Sequence, residues 1–285
     1  MAMPKKFGNG QRLAAPVLAG IIILAVSVSC ASHLKKAKIY YARAGQEEAA
    51  LRTERAVALY KLARFEASVE AEKDPSIQVF LVKGLAEVNL AMWKEAEASF
   101  VKAFALGHDP AQAWASDAAL LGLAASFEAI GLDDSAGGVY ENLMRNSKFR
   151  PAVMTSASKR TEAVLRKSLG LTPKEKGKAL SALLRDLDKL IEDDYACGLY
   201  HYLASQVCGH SGDHERGYSE AVVARELGLS SEIILRDNDN QLVFCYKKLK
   251  DLLPSPEKEE FEARHAAWAA RWGWPGPETP DWKKN

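Results

Sequence analysis

Apolar residues along this chain recur at intervals of three and four over segments of about 12 to 20 residues, and alternation at period 2 is hardly visible anywhere. That spacing gathers apolar side chains on one face of a helix, so it predicts a succession of amphipathic helices. Residues 46–73 form the first, with Ala49, Ala56, Leu59, Tyr60, Ala63 and Ala67 on one side. Asp74-Pro75 stops it, because proline disfavours helical backbone in the residue before it. Segments 77–91 and 94–106 follow, broken near Met92, then 111–130 with 134–146, and then 152–169, ended by Gly170. Thr172-Pro173-Lys174-Glu175 is a helix start: Thr172 caps, Pro173 fits the first helical position and Glu175 completes a capping box. Behind it Leu180, Leu183, Leu184, Leu187, Leu190 and Ile191 make a strong apolar stripe. Residues 195–209 and 213–227 form the next pair, 238–252 runs up to Pro254, and Ser255-Pro256-Glu257 opens a last helix reaching Trp272. The fold class is all-α, with an extended, proline-containing tail over 273–285.

The first thirty residues break this pattern. Lys5, Lys6 and Arg12 precede an apolar run from Leu13 to Val28, with Pro16 near its start and Gly20 within it, closed by Ser29 and Cys30. A basic start, a short apolar core and small residues before the break are the parts of an export signal. The run is shorter than the roughly 20 residues that a spanning helix usually needs, although an uncleaved signal anchor and an ordinary secretory peptide are alternatives to cleavage before the cysteine. The ending Ser27-Val28-Ser29-Cys30 resembles the lipobox of bacterial lipoproteins, with Ser27 where leucine is usual. The resemblance implies a signal peptide over 1–29, lipid (palmitate among the acyl chains) on Cys30, and a tether over 30–45 that moors the protein to a membrane of the cell envelope, facing the periplasm. The helical domain then occupies 46–272.

Composition narrows the classes further. Three of the 38 basic and none of the 37 acidic side chains fall in residues 1–29, so the remainder carries a net charge of −2. That near-neutrality provides no electrostatic footprint for nucleic acid. Besides Cys30 there are Cys197, Cys208 and Cys245, an odd number that cannot pair fully within the chain. Cys197 and Cys208 stand three turns apart on one helical face, about 16 Å, beyond disulfide reach in a continuous helix. All three read as small apolar residues.

Consecutive helix pairs invite a search for repeats. Gly84-x11-Ala96-x3-Phe100-x2-Ala103 aligns with Ala124-x11-Ala136-x3-Tyr140-x2-Leu143 at identical internal spacing. Phe80 and Trp93 stand at further bulky positions of the first unit, and Leu120, Leu123, Phe127 and Gly131 at those of the second. A third unit shows at its joint, where Gly212 suits a tight turn and Gly217 takes the small position of the second helix, before Ala221 and Ala224. These residues resemble the tetratricopeptide repeat (TPR). The period of 40 between Ala96 and Ala136 departs from the family's 34, with the extra residues near Gly107 to Trp114, and Lys83 replaces a usual leucine. The gap of 81 from Ala136 to Gly217 leaves 152–193 as a degenerate pair. The resemblance implies TPR-like antiparallel helix pairs stacked as a short solenoid that offers a surface to a protein or peptide. Such lipoproteins are expected in envelope or transport complexes, and one version accompanies TRAP-type solute transporters, where a small apolar ligand between helix pairs is the alternative.

Chemistry is sparse. Cys208-x-His210-x3-His214, with His201 one or two turns earlier, has zinc-ligand residue types, but an inter-helix turn with exposed histidines accounts for it better. Asp193-Asp194 and Asp237-Asn238-Asp239-Asn240 hint at calcium, yet the second run lacks the glycine and the final acidic residue of a calcium loop and reads as a solvated turn or cap. Glu47-Glu48 and Glu257-x-Glu259-Glu260 are helix-surface charges. No phosphate loop, nucleophile elbow or HExxH occurs. The chain is expected to be no enzyme and to need no cofactor or metal. Four of the six tryptophans lie in the last 18 residues, and Trp268 and Trp272 share a helical face. They either dock the last helix or anchor a partner.

Overall fold

The computed structural model describes residues 32–106, 112–274 and 276. Among these the chain is 84% helix and free of strands. The apolar run, Cys30 and most of the tail lie outside the described residues. Contacts divide the chain into two compact units, 1–156 and 157–285.

Unit 1 contains α1 (His33–Ala49), α2 (Thr53–Lys73), α3 (Ile77–Asn89), α4 (Trp93–Ala105), α5 (Ala113–Ala129) and α6 (Asp133–Asn146), and it ends inside α7 (Arg150–Ser168). Each of α1 to α5 packs on the helix that follows it, and α1 with α3 and α3 with α5 pack as next neighbours. Unit 2 holds the rest of α7, then α8 (Pro173–Asp193), α9 (Gly198–Ser211), α10 (His214–Leu227), α11 (Glu232–Leu252) and α12 (Glu257–Trp272). There each of α8 to α11 packs on its successor, and α9 packs on α11.

Local signals explain the boundaries. Ser32 caps α1 by accepting from the Lys35 amide at 3.3 Å. Ser76 does the same for Val79 at 3.4 Å. At α8 the capping box forms: the Glu175 amide donates to Thr172 Oγ1 at 3.4 Å and the Thr172 amide donates back to Glu175 Oε2 at 3.1 Å. Leu180, Leu183 and Leu187 of its stripe are buried.

Two expectations need correction. Residues 33–45 are not a loose tether but most of α1, whose Ala37, Tyr41 and Ala44 are wholly buried. Residues 46–73 are two helices, broken at Ala50-Leu51-Arg52.

That break reveals a fuller repeat. Ala44-x11-Ala56-x3-Tyr60-x2-Ala63 repeats the spacing of the Gly84 and Ala124 sets, and Ser205-x11-Gly217-x3-Ala221-x2-Ala224 repeats it in unit 2. All sixteen residues are buried. The turns share the same register. Leu51, Ala91, Gly131 and Gly212 each take left-handed backbone, with φ of 60, 57, 82 and 88°. The next amide in each turn (Arg52, Met92, Leu132, Asp213) donates to the carbonyl five residues back (Glu47, Glu87, Phe127, Cys208) at 2.8, 2.9, 2.8 and 3.0 Å. This six-to-one bond closes a Schellman turn and satisfies carbonyls that the ending helix leaves unpaired.

Only glycine adopts that backbone freely. Gly131 and Gly212 fit it, while Leu51 and Ala91 bear its steric strain. Ala91→Gly is therefore expected to raise the unfolding free energy by about 1 kcal/mol. Gly212→Ala should lower it by a similar amount, because a Cβ there meets no neighbour within 4 Å and only the backbone term acts. Urea midpoints at constant m check both signs.

Candidate functional site

The first four helices build a polar interior from a few residues. Glu87, on α3, is 1% exposed, yet both carboxylate oxygens are bonded. Arg64 Nε donates to Oε1 at 3.1 Å and Ser99 Oγ to Oε2 at 2.6 Å. Two residues along, Asn89 Nδ2 donates to Tyr41 Oη at 3.1 Å and to the Leu85 carbonyl at 2.9 Å. Tyr41 meets Tyr60 edge to face at 5.4 Å, and Tyr60 Oη donates to Glu48 at 2.9 Å. Burial pushes both phenols well above the usual tyrosine range. Glu48 is exposed, as its reading as a surface charge expects, and it also accepts this bond between α1 and α2.

Over this network lies a cleft of about 580 Å³, open to solvent. Val57, Lys61 and Arg64 form one wall and Asn89, Leu90, Ala91 and Met92 the other. The first three recur at i, i+4 and i+7, so they form one stripe on α2. The second wall is the Schellman turn between α3 and α4. Its strained Ala91 therefore stands at the cleft. Sequence reading identified Met92 as a break but none of these residues as a site; Val57-x3-Lys61-x2-Arg64 has the spacing that marks one helix face, but nothing in the sequence brings the turn to it.

The repeat positions do meet as small and large partners. A Cβ on Gly84 would sit 2.7 Å from the Phe100 ring, and one on Gly122 would sit 2.3 Å from it. Phe100 is thus held between α3 and α5 by two glycines, and Gly122 is a partner that sequence reading missed. Ala96, Ala103, Ala124 and Ala136 are buried around it or in the next pair. Tyr140 fills the corresponding place there, its hydroxyl donating to Glu128 Oε2 at 3.1 Å. In unit 2 Ala221 replaces the aromatic, and α11 comes close instead: Cys245 Sγ lies 2.9 Å from a Cβ built on Gly217, and Gln241 packs against Gly209.

The histidine and cysteine run does not assemble. Among the described residues no group of three or more ligand side chains could hold a metal ion. His201 is engaged by Glu220 Oε2 at 2.7 Å on Nδ1 and by the Tyr195 carbonyl at 2.9 Å on Nε2. Burial acts to raise the Glu220 carboxyl, but His201 and then Arg216, itself bonded to Asp188, hold it below the usual range. His214 stacks edge-on against Phe244. The run Asp237 to Asn240 is not a solvated turn: it lies within α11, where Asn238 is buried and donates to the Ala221 carbonyl at 2.9 Å, and Asp239 pairs with Arg225 at 3.1 Å.

Cys197, Cys208 and Cys245 are unpaired and buried. Burial pushes the Cys208 thiol up to about 12 and the Cys245 thiol up to about 11. In a full-length Cys30→Ala protein at pH 8, no thiol is expected to react with an aromatic disulfide reagent until denaturant is added, when all three should. Prompt reaction of the folded protein would contradict this packing.

The tryptophan-rich end is half committed. Trp268 Nε1 donates to Glu226 on α10 at 2.9 Å, and its ring packs on Trp274 at 5.4 Å. His265 stacks on Tyr246 at 4.1 Å, and its Nδ1 is hydrogen-bonded to Tyr218 Oη at 3.0 Å. Trp272 is exposed, with Arg271 over its ring. Burial lowers the His265 pKa. Below the ordinary histidine range the unfolded chain then binds more protons than the folded one, so stability should fall as pH drops through about 6.5. In His265→Phe that part of the pH dependence of the thermal midpoint should vanish.

Among the described residues no helix is long and apolar enough to cross a membrane. No family model and no curated protein sequence matches the chain.

Proposed function

We propose that this protein is a membrane-tethered, extracytoplasmic TPR-like lipoprotein, a short solenoid of stacked helix pairs that serves as an interaction scaffold in an envelope or transport complex. One observation carries the reading: small, small, large and apolar positions recur at one spacing in three helix pairs and, with alanine for the aromatic, in a fourth, and the left-handed turns keep the same register. Stacked pairs of this kind expose edges and turns in series, which suits an extended polypeptide partner. The cleft over the Glu87 network supports a peptide rather than a sequestered apolar molecule, because it is open and rimmed by Lys61 and Arg64. Exposed Trp272 is a second candidate contact, since tryptophan is enriched where interfaces concentrate their energy. The reading assigns no catalysis, cofactor or nucleic acid to the chain.

The anchor rests on the export signal and on Cys30. Growth with an alkyne fatty acid should label the wild-type protein and leave Cys30→Ala unlabelled. Equal labelling of the variant would overturn the lipoprotein assignment.

A further inference from the structure

We propose that the cleft between α2 and the α3–α4 turn binds a carboxylate that carries an apolar chain. The inference goes beyond the scaffold reading and stands on the cleft alone.

The charges come first. Glu87 is buried beneath the cleft and neutralises Arg64, so the pair adds no net charge. Lys61 is exposed and has no ion-pair or hydrogen-bond partner among the described residues. The walls therefore hold one uncompensated positive charge, which matches a single carboxylate better than a doubly charged phosphate.

Orientation comes next. The Arg64 guanidinium is fixed through Nε on Glu87 Oε1 at 3.1 Å, and its terminal nitrogens take no acceptor among the described residues. A guanidinium held by one edge keeps its other donors in a set plane, the preorganisation that makes arginine selective for carboxylates. Lys61 stands three residues before it on the same face, close enough for both to reach one anion.

The remaining walls define what is attached to the carboxylate. Val57, Leu90 and Met92 are apolar, and the methionine thioether adapts to varied shapes. Asn89 spends both amide hydrogens, on Tyr41 and on the Leu85 carbonyl, so it offers the cleft an oxygen acceptor. A volume of about 580 Å³ is in the range of small-ligand sites. Two sources carry this chemistry: the free C-terminus of a polypeptide ending in an apolar residue, and a free aliphatic acid. The Asn89 oxygen would take a peptide N–H in the first and nothing in the second.

Calorimetry on the full-length protein in detergent separates them. The probes are acetyl-Ala-Val-Leu as free acid and as C-terminal amide, and octanoate with octanamide. Binding of at least one acid is expected, with the matching amide at least tenfold weaker and with affinity falling as salt rises. Lys61→Gln should weaken the acid about tenfold, while Lys102→Gln, exposed on α4 ten residues beyond the Met92 wall, should not. Lys61 has no partner to strand, so its variant keeps the fold. Binding of the tripeptide alone assigns the site to a polypeptide terminus, binding of octanoate alone assigns it to a small acid, and binding of both shows that the carboxylate dominates; each supports the proposal. It is overturned if neither acid binds, if acid and amide bind alike, or if Lys61→Gln binds as the wild type does. In those cases the scaffold reading still stands or falls on its own partner.

Discussion

Phe100→Ala is expected to lower the unfolding free energy by about 3–5 kcal/mol, a large part of what holds a typical domain folded. The ring is wholly buried, and it fills the space that two glycines leave between α3 and α5. Removing it empties a slot whose walls are backbone and cannot collapse easily. The complementary change is Gly122→Ala. Its Cβ would approach Phe100 Cζ to 2.3 Å, so the ring must leave its position, at a cost of roughly 1–3 kcal/mol. In the Phe100→Ala background the same methyl has room, and its penalty should disappear. A double-mutant cycle by urea denaturation reads that coupling directly. Additive effects would mean that ring and glycine are not in contact.

Arg64→Leu carries the second large effect. It leaves the Glu87 carboxylate buried with only Ser99 as donor, and breaking a buried pair from one side costs on the order of 3 kcal/mol or more. Arg64 is itself partly exposed, so the loss arises from stranding Glu87 rather than from a strong attraction. Arg64→Leu with Glu87→Leu should therefore recover most of the stability of the single variant. Recovery would identify the pair as a polar feature kept for the cleft rather than for the fold. If the double variant is as unstable as the single one, the cost lies in packing around residue 64.

Much of the architecture was legible in the sequence because helices announce themselves locally. The stripe from Leu180 to Leu187, the Thr172 capping box and the Gly212 joint each depend on neighbours within a few residues. The first pair was hidden for a physical reason. Its turn holds Leu51 in left-handed backbone, where a glycine would have marked it, and nothing at Ala50-Leu51-Arg52 breaks the apolar periodicity. Without that break α1 merged with α2, and the segment before it passed for a tether. Once the turn is seen, Ala44, Ala56, Tyr60 and Ala63 fall into the repeat. Asp237 to Asp239 misled in the opposite way. Polar residues normally mark turns, but a backbone carbonyl and Arg225 satisfy them inside α11.

The cleft was not legible. Its walls are 25 to 35 residues apart, and each looks ordinary alone: a mixed face of α2 and a break near Met92. Only packing brings them together and places a buried carboxylate beneath them. Gly122 escaped likewise, because its role is set by a ring from another helix.

The most direct test of the scaffold reading is recovery from native membranes. The tagged, lipidated protein would be cross-linked in intact cells, purified and analysed by quantitative mass spectrometry beside Cys30→Ala and a variant altered in the cleft. The account predicts a defined envelope polypeptide in stoichiometric amount with the wild type and its loss from at least one variant. Recovery of the protein alone, in the same state for all three, would contradict it.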